Sequence, residues 1–209
     1  MLCLKQPTDG GWAAHALRDL DAVLVDHAHC ELKAASNALS IIARYPDDIE
    51  RARVLSEVAK DEIDHLQRVI ALLASRGIAL GKPAVDAYAS ELRRKARELS
   101  RDRFASPIVD RLLVGALIEA RSCERFCLLV EATAAHPMHA DLHALWKELF
   151  ATEARHYRTF VDLAVRAAAG DATRVVARLE RLAELEGGIV KALTGASASP
   201  AASRASIHG

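Results

Sequence analysis

Hydrophobic positions recur every three to four residues through most of this chain, and that period predicts helices rather than strands. From about Asp19 to Arg44, Leu24, Ala28, Glu31, Ala35, Ala38 and Ile42 fall on one stripe, and Tyr45-Pro46 ends the segment because the residue before a proline is pushed out of helical geometry. A second segment starts at Asp47-Asp48, residues suited to an N-cap and an acidic first turn. It turns Val54, Val58, Glu62, His65, Val69 and Leu72 inward and ends at Gly77, a C′ glycine. A third begins at Ser106-Pro107, with proline at the first helical position, and runs to about Ala135. It aligns Leu112, Ala116, Glu119, Ser122 or Cys123, Phe126 and Val130. A fourth, from about Met138 to Ala169, aligns Leu142, Leu145, Leu149, Glu153, His156, Phe160 and Leu163, and Gly170 ends it.

Shorter elements fill the gaps. Residues 1–10 read as an extended lead-in, Trp12 to Leu17 as a short helix and Asp86 to Glu98 as another. Asp171 caps a fifth helix over about Ala172 to Leu193, and residues 196–209, rich in Ala, Ser and Gly, read as a disordered tail. The turn between the first two long helices is a few residues, so they are antiparallel neighbours. The stretch from Gly77 to Pro107 is long enough to cross from one end of a bundle to the other. Hairpin, crossover, hairpin and extra helix describe an all-α, ferritin-like four-helix bundle with a long crossover and an additional C-terminal helix, forming one domain over residues 1–195.

Composition agrees with that outline. In 209 residues, 51% are hydrophobic but only 4% aromatic, and the abundant Ala, Leu, Arg and Glu are good helix formers. No stretch approaches the ~20 apolar residues of a membrane span and the N-terminus has no signal-peptide run, so the expectation is a soluble, cytoplasmic protein. Of the four cysteines, Cys30, Cys123 and Cys127 read as buried small residues beside Cys3, and a disulfide scaffold is not expected in a helical chain of this size.

The inner stripes carry chemistry that a core does not ordinarily hold. In chain order they present Glu31, then Glu62 and His65, then Glu119, then Glu153 and His156. Glu and His three apart share a helix face, and a carboxylate at core spacing is costly to bury unless it is paired. One Glu-x-x-His match is weak. Here each of two matches follows a lone mid-helix Glu, by 31 residues from Glu31 to Glu62 and by 34 from Glu119 to Glu153, which brings the midpoints of two hairpin helices level. Two Glu and two Glu-x-x-His are the ligand set of dinuclear carboxylate bundles, and four carboxylates balance two divalent cations. We therefore expect Glu31, Glu62, His65, Glu119, Glu153 and His156 to hold two iron ions, with no catalytic side chain beyond the ligands and no other cofactor-binding residue. Asp61 is positioned to accept from His156 across the bundle, as ligand imidazoles usually require, with an exposed Asp as the plain alternative. Arg121 and Arg125 are read as either partners of nearby acids or exposed, and Arg155 as exposed. His27 and His29 are read as structural or surface residues that are not aimed at the point Glu31 faces, and His136, His139 and His143 as a solvated cluster.

These residues resemble a known family. The stretch Asp26-His27-Ala28-His29-Cys30-Glu31-Leu32-Lys33-Ala34-Ala35-Ser36 resembles the first-helix motif of the tRNA hydroxylases of the MiaE type. So does Glu119-Ala120-Arg121-Ser122-Cys123-Glu124-Arg125-Phe126 on the third long helix, and the pairs Glu62/His65 and Glu153/His156 match that family's remaining ligands. The resemblance, over roughly residues 12–195, implies a non-heme diiron monooxygenase that uses O2 to hydroxylate the isopentenyl group of 2-methylthio-N6-isopentenyladenosine next to the tRNA anticodon. It implies an external reductase, since the chain carries no flavin or iron–sulfur motif. Gly115, Ser122 and Phe126 are candidates to line the substrate pocket. For the tRNA, the crossover offers Arg93, Arg94, Lys95, Arg97, Arg101 and Arg103. Formal net charge is zero, but with four Glu assigned to metal the rest of the chain stands at about +4, modestly suited to a polyanion. Oligomeric state is open between monomer and small oligomer. Ferritin-like iron storage or oxidation, a rubrerythrin-like peroxidase, and a helical binding module with a structural metal are the rival readings. Storage needs a shell with an acidic inner surface, and rubrerythrins commonly add a cysteine-rich iron centre.

Overall fold

The computed structural model describes residues 2–99, 106–134 and 140–196. Among these the regular elements are all helices: α1 (Trp12–Ala16), α2 (Leu20–Arg44), α3 (Ile49–Ser75), α4 (Ala87–Leu99), α5 (Pro107–Thr133), α6 (Ala140–Ala167) and α7 (Ala172–Ala196). α2 pairs with α3 and α5 with α6, while α4 and α7 lie against α5. This is the expected topology. The expected tail beyond residue 196, together with His136, His139, Arg101 and Arg103, falls outside the described residues.

Local chemistry sets the boundaries. Asp19 caps α2 by accepting from Ala22 N at 3.0 Å, and Asp48 caps α3 by accepting from Arg51 N at 3.0 Å. Asp86 accepts from Ala89 N at 2.9 Å, and Asp171 from Arg174 N at 2.9 Å. Each satisfies a donor that the first turn leaves unpaired. After α6 the chain reverses through Ala169 and Gly170, at φ 56° and 86°. The glycine tolerates that region freely, whereas Ala169 bears a strain of about 1 kcal/mol or more there.

The bundle interior is layered. One apolar cluster gathers Leu24, Val69, Leu73, Phe126, Trp146 and Leu149. The other gathers Ile41, Leu55, Val58, Leu112, Phe160 and Leu163. In each long helix the residues of one cluster precede the Glu or Glu-x-x-His position and those of the other follow it. A polar layer is thus held between two dry ones, each built from side chains whose burial contributes about 2 kcal/mol apiece.

Candidate metal centre

All six predicted ligands are buried in that polar layer, and none is more than 6% exposed. One ligand atom each from Glu31, Glu62, His65 and Glu153 lie within 4.8 Å of one another, and so do atoms from Glu62, Glu119, Glu153 and His156. Glu62 and Glu153 belong to both groups. The site is therefore two overlapping four-residue clusters with two shared carboxylates, an arrangement that matches two cations side by side.

The imidazoles face inward through Nδ1. His65 Nδ1 lies 3.5 Å from Glu31 Oε2 and 3.6 Å from Glu62 Oε2, and His156 Nδ1 lies 2.9 Å from Glu62 Oε1. Despite this proximity, both carboxylate oxygens of Glu31, Glu62 and Glu153, Oε2 of Glu119 and both Nδ1 atoms lack an aligned hydrogen bond. Buried acceptors in that condition are rare in native proteins. A cation bound among them satisfies them together, and this is the observation on which the fit to metal rests.

Proton affinities in the metal-free chain tell the same story. Burial, followed by the Glu31 charge, raises Glu62. Burial raises Glu119 to about 7, and Glu153 goes well above the ordinary carboxylate value through burial and then the charge of Glu119. Glu31 moves down: burial opposes ionisation, but His27 and the contacts with Glu62 and His65 outweigh it. Burial also works against charge on His65 and His156, yet the adjacent carboxylates raise them to about 10 and about 9. Without metal, the layer neutralises itself with protons.

Around the ligands the structure separates the expectations. His156 Nε2 lies 3.2 Å from Asp61 Oδ2, so the acceptor expected across the bundle is in place. Arg155 is exposed, as expected, and donates to Thr152 Oγ1 at 3.0 Å. His27 departs from expectation. It is fully buried with Nε2 2.9 Å from Glu31 Oε1, and its ring meets Phe126 edge-on at 5.1 Å. It stands one turn before Glu31, so the same-face spacing was the signal for it. His29, two residues from Glu31, turns away to Leu80 O at 3.2 Å. His143 is half-buried against Thr133 Oγ1 at 3.1 Å rather than solvated. Arg121 and Arg125 are buried, the first paired with Glu186 and Glu124 and the second over Trp12 at 5.3 Å. Cys30 and Cys123 are buried as expected, whereas Cys127 is only partly covered.

A narrow cleft reaches the ligands from outside between α2, α4 and α5, with Gly115, Ile118 and Glu119 at its floor and Lys33, Asn37 and Arg93 on its walls. Of the three pocket candidates, only Gly115 lines it. A Cβ there would come within 3.0 Å of the Phe160 ring, so glycine sets this close approach. Ser122 instead donates to Ile118 O within its own helix, and Phe126 packs at 5.7 Å on Trp146 in the apolar layer. The basic run of the crossover also divides. Arg94 is engaged by Glu91 and Glu98, and Lys95 lies 3.8 Å from Glu91. Arg93 faces the cleft.

Comparison with known proteins follows the same lines. The family model described as tRNA-(MS2IO6A)-hydroxylase (MiaE) matches residues 1–197. The chain is 40% identical over 158 residues to the tRNA 2-(methylsulfanyl)-N(6)-isopentenyladenosine(37) hydroxylase of Pseudomonas putida, spanning 76% of this chain and 73% of that protein. The hydroxylase of the same name from Salmonella typhimurium is 27% identical over an aligned length of 236 residues, spanning 90% of this chain and 83% of its own. Among solved structures, a Synechococcus protein with aldehyde deformylating oxygenase activity superposes with a TM-score of 0.82 at 34% identity, over 100% of this chain and 96% of that one.

Proposed function

The chain belongs to the MiaE family of tRNA hydroxylases, and from that premise we propose that it hydroxylates the isopentenyl group of 2-methylthio-N6-isopentenyladenosine beside the tRNA anticodon. O2 is the oxidant, and Glu31, Glu62, His65, Glu119, Glu153 and His156 hold two iron ions. The observation that carries this reading is the pair of overlapping clusters sharing Glu62 and Glu153 in a buried polar layer of orphaned carboxylate oxygens. Carboxylates with imidazoles suit iron, and the open positions suit O2. Bound there, an iron pair would supply the reduction of O2 and the oxidising power to open an allylic C–H bond. In the balanced reaction one oxygen atom enters the C–H bond and the other leaves as water, with two electrons and two protons drawn from a partner reductase.

The protein's own part is positioning and exclusion. His27 holds the Glu31 carboxylate from one side, and Asp61 fixes the ring of His156. The apolar layers above and below keep bulk water from the ligands. We assign the isopentenyl chain to the cleft that ends at Glu119, where the missing side chain of Gly115 lets the Phe160 ring lie close against α5. An unpaired anticodon-loop base can present such a chain, whereas a stacked, paired one cannot. No described helix is long and apolar enough to cross a membrane, in keeping with a substrate in the aqueous phase.

The test loads the chain with ferrous iron anaerobically, then adds reductant, isotopically labelled O2 and prenylated tRNA, with nucleosides read by mass spectrometry. The expected product is one labelled oxygen heavier than the starting nucleoside. Iron binding with O2 consumption but an unaltered nucleoside would return the chain to iron oxidation or peroxidase chemistry.

A further inference from the structure

Four side chains of α2 stand above one another at three- and four-residue steps: Lys33, Asn37, Ser40 and Arg44. The lower two line the cleft that leads to Glu119, facing Arg93 of α4. Higher up, Arg111 of α5 donates to Ser40 Oγ at 2.7 Å, which holds its guanidinium against this edge of α2. Ser40 lies nine residues after Glu31 and Arg111 eight before Glu119. The two helices therefore run antiparallel here, and the edge climbs ~13 Å from the level of the ligands. Burial lowers the Arg111 pKa, Tyr45 opposes that, and the like charges of Arg44 and Arg93 lower it further.

Their charges are open. Lys33 is matched by Asp86 at 3.2 Å, and Arg121 and Arg178 are matched by Glu186 and Asp110. Arg44, Arg93 and Arg111 have no acidic partner among the described residues, and neither does Arg97, one turn beyond Arg93 on α4. Like charges along one edge of the bundle repel one another unless an anion crosses them. Nothing in the fold of the bundle requires them there.

We propose that this edge is the track on which the phosphate backbone of the anticodon loop lies, with Arg44, Arg93 and Arg111 as its phosphate contacts. The cleft between Lys33 and Arg93 is the opening through which the base delivers its side arm to Glu119. Asn37, with a donor and an acceptor on one wall, is placed to meet the polar edge of a base that the narrow cleft keeps outside. The inference rests on tRNA as substrate. It moves the RNA contact from the length of the crossover helix to one edge shared by three helices, and it leaves Arg94 and Lys95 outside it.

The test uses the iron-loaded full chain and a prenylated anticodon stem-loop, with binding followed by fluorescence anisotropy across a salt series. Arg93→Gln, Arg44→Gln and Arg111→Gln are each expected to weaken binding about fivefold, and each to lower the slope of log affinity against log salt by about 0.7. Arg94→Gln, its charge already matched, stays within about twofold of wild type. Wild-type affinity and slope in the two surface variants, Arg44→Gln and Arg93→Gln, overturn the track, as does a larger loss in Arg94→Gln than in either. Ala34→Phe, a plug on the cleft wall, is expected to bind the stem-loop normally and lose product about a hundredfold or more. Undiminished product in that variant overturns the opening. The two readings fail separately. A wild-type chain that binds RNA through these arginines but makes no hydroxylated nucleoside refutes the proposed reaction and supports the track. One that hydroxylates while the arginine variants are unchanged does the reverse.

Discussion

Glu119 and Arg121 are two residues apart on α5, both buried, and they face two polar clusters of opposite character. Arg121 looks outward to α7, α4 and the N-terminal segment. There it donates to Glu186 at 2.7 and 2.9 Å and to Gln6 O at 2.9 Å, while also reaching Glu124. Tyr88 donates to the same Glu186 at 2.9 Å, and Glu124 accepts from Thr8 Oγ1 at 2.6 Å. Every charge in that cluster has an opposite within reach. Glu119 looks inward to three more carboxylates and two imidazoles, most of whose oxygens have no aligned donor. The first cluster is complete as protein and locks elements together. The second is incomplete as protein, and that incompleteness marks it as a binding site, because an unpaired buried charge persists only where something else compensates it.

The comparison can be broken most directly at the shared ligands. Glu62→Gln or Glu153→Gln should lower iron content per chain and reduce hydroxylation by about a thousandfold or more, beyond the ~10–100-fold of a supporting residue. In the metal-free form the same variants should melt higher, since they remove a crowded carboxylate. Full iron content and full turnover in Glu153→Gln would remove it from the ligand set. Arg121→Met should do the opposite. It leaves Glu186 and Glu124 unmatched and should cost about 3–5 kcal/mol in urea unfolding, with iron content per folded chain unchanged. A shift of under ~1 kcal/mol would show that the outer cluster does not lock the fold.

Two smaller effects sharpen the contrast. Asp61→Asn weakens the acceptor that orients His156 and should cost about tenfold in iron affinity, read by competition with a chelator. The last is pH. Glu119 holds its proton to about 7 in the metal-free fold, against an ordinary value of 4.5. Its contribution is therefore complete below 4.5 and disappears as pH rises through about 7. His65 and His156, raised from 6.5 to about 10 and about 9, contribute below 6.5 and lose that contribution as pH rises through those values. The melting temperature of metal-free protein should fall from pH 5 towards pH 9, whereas that of the iron-loaded form should not, because the metal has taken the place of the protons. Equal slopes in the two forms would mean that the layer does not bind metal through these groups.

Much of this was legible in the residues themselves. Helix number, order and the level of the ligands follow from apolar period, proline, glycine and capping Asp residues, which act over a few positions. The six residues proposed as ligands, which the fold buries together, were legible as a group because a carboxylate on an apolar stripe is conspicuous wherever the stripe can be drawn. His27 follows the same rule at a spacing of four from Glu31, and treating it with His29 loses the distinction between facing the ligand and facing Leu80. Other residues could not be read that way. Phe126 and Ser122 share the ligand stripe, yet they fill an apolar layer and bond their own helix instead of lining a pocket.

By itself, then, the sequence determined which helices form and which polar groups they turn inward, because backbone geometry fixes what shares a face. Only the tertiary structure decided which cations are available to a partner. Arg121 is consumed by Glu186 from 65 residues away and Lys33 by Asp86 from 53 away, while Arg93 at the cleft and Arg111 beside Ser40 meet no acid among the described residues. A charge is cancelled by whatever acid the fold brings within a few ångströms, and nothing in the local run of residues says which acid that will be.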